Sequence, residues 1–299
     1  MSLIHRPQFD QKFMRRGGQT STIVNRSVVS NDDAFMLYGM FAIGARFSTS
    51  PYFQGIAPID RGEVYSLRAA AIKDPIIKTI QEPTLEFLKG CVILAYYCVT
   101  AGQIGPGSVL TSICIRFAYD LSLDEIDEYQ MNDDGSLNSE NFDGNVASWV
   151  RKEELRRLWW SIWELDTFVA TLSCQPYGVE RGEMKVLLPV PNDNWYRGLP
   201  MRSAFINHQP EAVWKSLQGS PNQSARAWCL LANYLMSCIA FAGRKPSRSS
   251  TSTKPGLETA VCNFKLSLPV EFQLRSLFLD KNNFEEGNWI ISTHLMIIA

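Results

Sequence analysis

Histidine is scarce in this chain: the 299 residues hold three, at positions 5, 208 and 294, and none has a partner at metal-binding spacing. A charge excess is missing as well. Lys and Arg number 29 against 30 Asp and Glu, a formal net charge of −1, which argues against this segment holding nucleic acid by itself, since that needs a concentrated basic surface. The seven cysteines never fall as C-x-x-C, so neither a zinc ribbon nor a disulfide framework is indicated. Most of them, including Cys91, Cys98, Cys114, Cys229 and Cys238, lie in apolar helical patterns and read as small buried thiols. Long hydrophobic runs are absent; Cys91–Ala101 and Trp289–Ala299 reach about half a membrane span. The first residues, MSLIHRPQFDQKFMRR, lack the apolar stretch of a secretory signal, so the expectation is a soluble intracellular protein.

Motifs of common enzyme classes are lacking too. There is no G-x-S-x-G and no P-loop, and Gly102, Gly105 and Gly107 do not reproduce the dinucleotide spacing. A calcium loop around Gly135 would need ligands where Gln130 and Asn141 stand. Asn132, Asp133, Ser136 and Glu140 do fit the Asn-Asp-x-x-Ser-x-x-x-Glu magnesium motif of terpene synthases. That motif works only on a helix, where its oxygen ligands share a face. Here it sits in a Gly/Asn/Asp/Ser-rich stretch with no apolar face, and the acidic pair Asp32-Asp33 has no third acid after it. The chain is therefore expected not to be an enzyme, with no catalytic, cofactor-binding or metal-ligating residue assigned.

What the chain does have is 45% hydrophobic residues and eight Trp, enough for a substantial core. Helical periodicity runs through residues 32–49, 60–80 (disturbed at Pro75), 83–101, 108–121 and 257–268, and no segment alternates convincingly as a strand. Gly105-Pro106-Gly107 reads as a turn. Two stretches break the pattern: 130–148, rich in Asn, Asp, Gly and Ser, and 243–256, rich in Ser and Pro, both expected to be flexible loops. The fold class predicted is all-α, a large helical domain of packed helical hairpins.

The run from Lys152 to Trp195 carries the most information. It reads as a charged first turn, a helix apolar nearly all round, and a Pro-terminated exit into an extended segment ending at Trp195. At about 100° per residue, Leu155, Leu158, Trp159, Ile162, Leu165, Val169 and Leu172 form one stripe, widened by Trp160 and Trp163. One continuous, largely buried helix is predicted over 153–173. Asp166 lies within the stripe, where a lone charge is costly, so it needs a partner. Arg116 is the first candidate; Arg156 or a backbone N–H would also serve.

Glu154, Arg156, Arg157, Leu158-Trp159-Trp160, Asp166, Pro176, Leu188-Pro189, Asp193 and Trp195 stand in the order and spacing of one known motif. Ile4–Phe9 (IHRPQF) and Leu110–Leu123 (LTSICIRFAYDLSL, with Arg116) add two more elements upstream. Together they resemble the fungal-specific transcription factor domain, the middle homology region of fungal zinc-cluster transcription factors. The chain departs from that pattern at Cys174-Gln175, where Gly-Arg is usual, and at Ser122, where Gly is usual.

The resemblance implies a nuclear regulator of RNA polymerase II transcription, with residues 1–299 as its regulatory domain, cut at both ends. It implies that DNA is reached only through a missing N-terminal segment, whose six-cysteine cluster would hold the only zinc. It leaves open a small-molecule effector, a protein regulator and a homodimer, and implies no membrane. Arg116, Trp159 and Asp166 become structural or effector-linked candidates. The alternatives are a stand-alone helical interaction module and a magnesium-dependent helical enzyme of isoprenoid type.

Overall fold

A computed structural model describes residues 3–16, 22–24, 29–128, 144–182, 184–244, 254–274 and 284–298. It is all-α in class, and the described residues include a short antiparallel ribbon. Two compact units divide the chain: Met1–Leu123 with Ser161–Val179, and Asp124–Trp160 with Glu180–Ala299.

The first unit opens with α1 (Arg6–Phe13) and the ribbon β1 (Met14–Arg16) with β2 (Thr22–Val24), paired Met14 to Val24. Three residues per strand are too few for alternation to show in the sequence. Helix α2 (Asn31–Ala45) starts on a capping box: Ser30 Oγ accepts from Asp33 N, and the Asp33 carboxylate accepts from Ser30 N. Helix α3 (Glu63–Thr79) runs through Pro75. Helix α4 (Leu85–Thr100) is capped by Thr84, buried almost all round, and packed between α2 and α5 (Ile104–Asp120). Gly90 sets the distance between α4 and α2, since a Cβ there would lie 2.5 Å from the Phe35 ring.

The expected turn at Gly105–Gly107 is instead the first turn of α5. Pro106 is tolerated there because N–H groups in a first turn have no intrahelical partner.

Helix α6 (Val146–Leu172) is continuous, as predicted, and begins seven residues earlier than the apolar stripe suggested. Its residues through Trp160 belong to the second unit and those from Ser161 to the first. Trp159, Trp160, Ile162 and Trp163 have no exposed surface, but Leu172 at the end of the stripe is half exposed. The charged residues at 153–157 are consequently not a first turn. They lie inside the helix, and Glu153, Glu154, Arg156 and Arg157 are buried.

In the second unit α7 (Asn192–Arg197), α8 (Ala225–Arg244), α9 (Lys254–Ser267) and α10 (Phe284–Ile298) follow, with α8 against α10. Ala225–Gly243 is long and apolar enough to cross a membrane by length and composition, and 61% of it is buried in the fold, as in a core helix. The two loops expected at 130–148 and 243–256 lie mostly outside the described residues; helix occupies Val146–Ser148 of the first and reaches Arg244 and Lys254 at the edges of the second.

Candidate functional site

Residues 184–191 (MKVLLPVP) run extended through the second unit and, unlike a strand in a sheet, find much of their hydrogen bonding in side chains. Val186, Leu187, Leu188 and Val190 are buried, so an unpaired backbone group here would carry its full desolvation cost. Helix α6 meets that demand. Glu153 Oε1 accepts from Val190 N at 3.0 Å, and Arg157 Nη2 donates to Val190 O. Trp160 Nε1 donates to Leu187 O at 2.8 Å. Asp127, from the turn after α5, accepts from Leu187 N at 2.9 Å. On the far side Leu188 N reaches Ala204 O, and Asn222 Nδ2 donates to Pro189 O at 3.0 Å and to Ser203 Oγ at 2.8 Å.

The groups doing this are themselves paired. Asp127 binds Arg156 through Nε at 2.8 Å and Nη2 at 2.6 Å. Glu153 accepts from Arg157 Nε at 2.8 Å and stands 3.5 Å from Arg156 Nη1. The Arg157 guanidinium lies 4.2 Å from the centroid of the Trp195 ring, whose Nε1 donates to Val150 O. Burial pulls Arg157 down to about 10, with Glu153 opposing the fall and the nearby Arg226 adding to it. Glu153, Arg156, Arg157 and Trp160 fall at i, i+3, i+4 and i+7, one helical face. That spacing was the available signal for a buried ion cluster; the sequence reading passed over Glu153 and Asp127.

Of the three candidates named from sequence, Trp159 and Asp166 are buried and Arg116 is not. Asp166 accepts from Gly178 N at 2.9 Å and Val179 N at 3.1 Å, tying down the loop that leaves α6. Arg116 is a correction: its side chain is 78% exposed and pairs with Asp120 at 3.0 Å, one turn along α5. The arginine falls on the solvent face of α5, while Cys114, Ile115 and Ala118 take the buried one. The backbone N–H was the right alternative. Gly178 is required at this contact, since a Cβ would come within 2.8 Å of Ile115.

Both departures from the family pattern sit where the backbone turns left-handed. Ser122 (φ 51°) follows α5 and Cys174 (φ 53°) follows α6, and among the described residues they are the non-glycine positions with positive φ. At the second, Gln175 N closes back on Ala170 O at 3.0 Å, a helix-ending bond that favours glycine one residue before it.

The magnesium-motif residues Asn132, Asp133, Ser136 and Glu140 lie outside the described residues. The acidic pair has structural partners: Asp33 caps α2 and meets Lys12 at 2.7 Å, and Asp32 accepts from Thr84 Oγ1 at 2.6 Å. Among the described residues no group of three or more His, Cys, Asp or Glu is placed to hold a metal. Cys91, Cys98, Cys114 and Cys229 are buried in α4, α5 and α8, and burial beside Cys91 pushes the Cys114 thiol well up. These residues do not fit a zinc cluster.

An all-α scaffold in which one long helix satisfies a buried extended segment defines the class. Its motif residues match the model of the Fungal specific transcription factor domain over residues 1–239, and the chain belongs to that family. A relative, the Zn(2)-C6 fungal-type transcription factor FTF1c of Fusarium oxysporum f. sp. lycopersici, is 26% identical over 212 residues, covering 68% of this chain and 21% of that protein. The chain thus spans about a fifth of this relative's length. No solved structure matches.

Proposed function

We propose that this chain is the regulatory region of a fungal transcription factor acting on RNA polymerase II transcription in the nucleus. DNA is read by a zinc-cluster segment outside residues 1–299, and the helical region sets that factor's activity in response to a small-molecule effector. The observation carrying this reading is that motif residues Arg157 and Trp160 bond the buried segment around Leu188-Pro189 through Val190 O and Leu187 O, Arg156 reaches it through Asp127, and Arg157 lies over Trp195. A unit built of interlocked ions and a strapped segment has few intermediate arrangements, which suits a two-state regulatory element. The printed name of the relative supports the link to transcription.

The test fuses residues 1–299 to a heterologous DNA-binding domain upstream of a reporter in a fungal host. The expected result is a reporter level that differs from the DNA-binding domain alone and changes with growth medium. The purified chain is expected to show no stoichiometric zinc and no sequence-specific DNA binding, its cysteines never falling as C-x-x-C and its formal net charge being −1. A reporter indifferent to the fusion would overturn the regulatory reading in favour of a stand-alone interaction module.

A further inference from the structure

Between α2 and α3 of the first unit, the chain from Phe47 to Ile59 (FSTSPYFQGIAPI) runs thirteen residues without a charge. Charged residues make up 20% of the protein, so a solvated loop of this length is expected to carry two or three. Yet Phe47, Tyr52, Ile56 and Ile59 are 77, 67, 41 and 50% exposed, and Phe41 of α2 is 44% exposed. The loop is held from beneath. Arg61 donates to Ser48 O at 2.7 Å and to Ile56 O at 3.0 Å, and its guanidinium lies 5.9 Å from the centroid of the buried Phe53 ring. From there rings follow one another to α2: Phe53 stands 5.0 Å from Tyr52 and 6.5 Å from Tyr65, and Tyr65 stands 5.8 Å from Phe41. The charges bordering the loop have both signs: Arg46, which donates to Thr100 O, then Asp60, Arg61, Glu63, and Arg68 over the Tyr38 ring.

We propose that Phe41, Phe47, Tyr52, Ile56 and Ile59 form the contact surface of a homodimer, set against the same residues of a second copy about a two-fold axis. Charge selects this occupant. A two-fold contact turns a patch onto itself, so a patch of one sign repels its own copy, whereas an uncharged centre with a mixed rim does not. A strongly acidic or basic partner finds no opposite field here. Area agrees. At about 150–250 Å² for each aromatic side chain, Phe41, Phe47 and Tyr52 leave roughly 300–450 Å² uncovered, to which the two isoleucines add. The apolar share of a homodimer contact is about 500 Å² per partner, from about 800 Å² at about 65% apolar. Because Arg61 and Phe53 already fix the loop, little ordering cost opposes the contact. Dimerisation through this loop needs no effector and stands apart from the regulatory reading above.

The test is sedimentation velocity on the purified 299-residue chain across the micromolar range, with circular dichroism as the check on folding. The expected result is a monomer–dimer equilibrium. Phe47→Glu and Tyr52→Glu should each weaken it by about thirtyfold or more, since each places a like charge on both sides of the two-fold contact. If Tyr52→Glu disturbs the fold through the neighbouring Phe53, Phe47→Glu carries the test from the more exposed position. Leu266→Glu, on an exposed apolar residue of α9 in the second unit, should leave the equilibrium unchanged. A parent chain that stays monomeric up to about 100 μM sinks the proposal and leaves the surface to another protein or another segment, because a biological contact of this size is formed well below that concentration. A dimer that survives both loop variants, or that Leu266→Glu weakens as much as they do, overturns it as well.

Discussion

Asp127 and Arg156 meet through two hydrogen bonds, 2.8 and 2.6 Å, with neither side chain more than 2% exposed. The pair joins the turn after α5 to the middle of α6, and the same carboxylate holds Leu187 N. Asp127→Asn or Arg156→Met strands a buried charge, and each is expected to cost about 3–5 kcal/mol in urea unfolding. The double variant Asp127→Asn with Arg156→Met should cost less than the sum, since no unpaired charge then remains. Additive losses would mean that the two side chains act separately.

Asp166 and Arg116 should behave independently. Asp166→Ala leaves the buried Val179 N without its carboxylate, at about 1–3 kcal/mol, and frees Gly178 N, which sits on an exposed residue and costs less. Arg116→Met removes an exposed i,i+4 pair and should change stability by no more than about 0.5 kcal/mol. Coupling between them in a double-mutant cycle would restore the pairing that the sequence suggested.

That contrast marks what was legible. Helix α6 could be read because its apolar stripe is local, and a local period needs no knowledge of the fold. The burial of Asp166 followed from the same wheel. Its partner did not, because a backbone N–H twelve residues on carries no sequence label. The ion cluster was harder. Glu153, Arg156 and Arg157 look like an ordinary solvated turn until the extended segment at 184–191 supplies buried carbonyls and amides for them. Asp127 sits in an acidic stretch, DEIDE, where nothing sets it apart from its neighbours.

The two left-handed residues offer gains. Ser122→Gly and Cys174→Gly each relieve a Cβ held at positive φ, worth roughly 1–2 kcal/mol, against the larger chain entropy that glycine brings to the unfolded state. A net stabilisation of about 0.5–1 kcal/mol is expected at each position, read as a higher midpoint in urea with an unchanged slope. Ser122→Ala, which keeps the Cβ, should give no gain. Destabilisation by either glycine would mean that the serine hydroxyl or the cysteine thiol supplies more than the backbone strain costs.

His208 supplies a pH response. Its ring stands edge-on to Tyr234 at 5.8 Å, its carbonyl accepts from the Tyr234 hydroxyl at 2.8 Å, and its buried Nδ1 has no hydrogen-bond partner among the described residues. Burial holds its pKa below the ordinary 6.5, because the imidazolium would bring a second N–H to a site with no acceptor for it. The sign follows directly. As pH falls through about 6.5 the unfolded chain takes up a proton that the folded chain resists, so unfolding gains protons and stability drops. Above that range both states are neutral and the residue contributes no slope. Urea midpoints should therefore fall between about pH 7.5 and pH 5, and His208→Gln should flatten that fall by removing its share. An identical pH slope in the variant would show that another group carries the acid sensitivity.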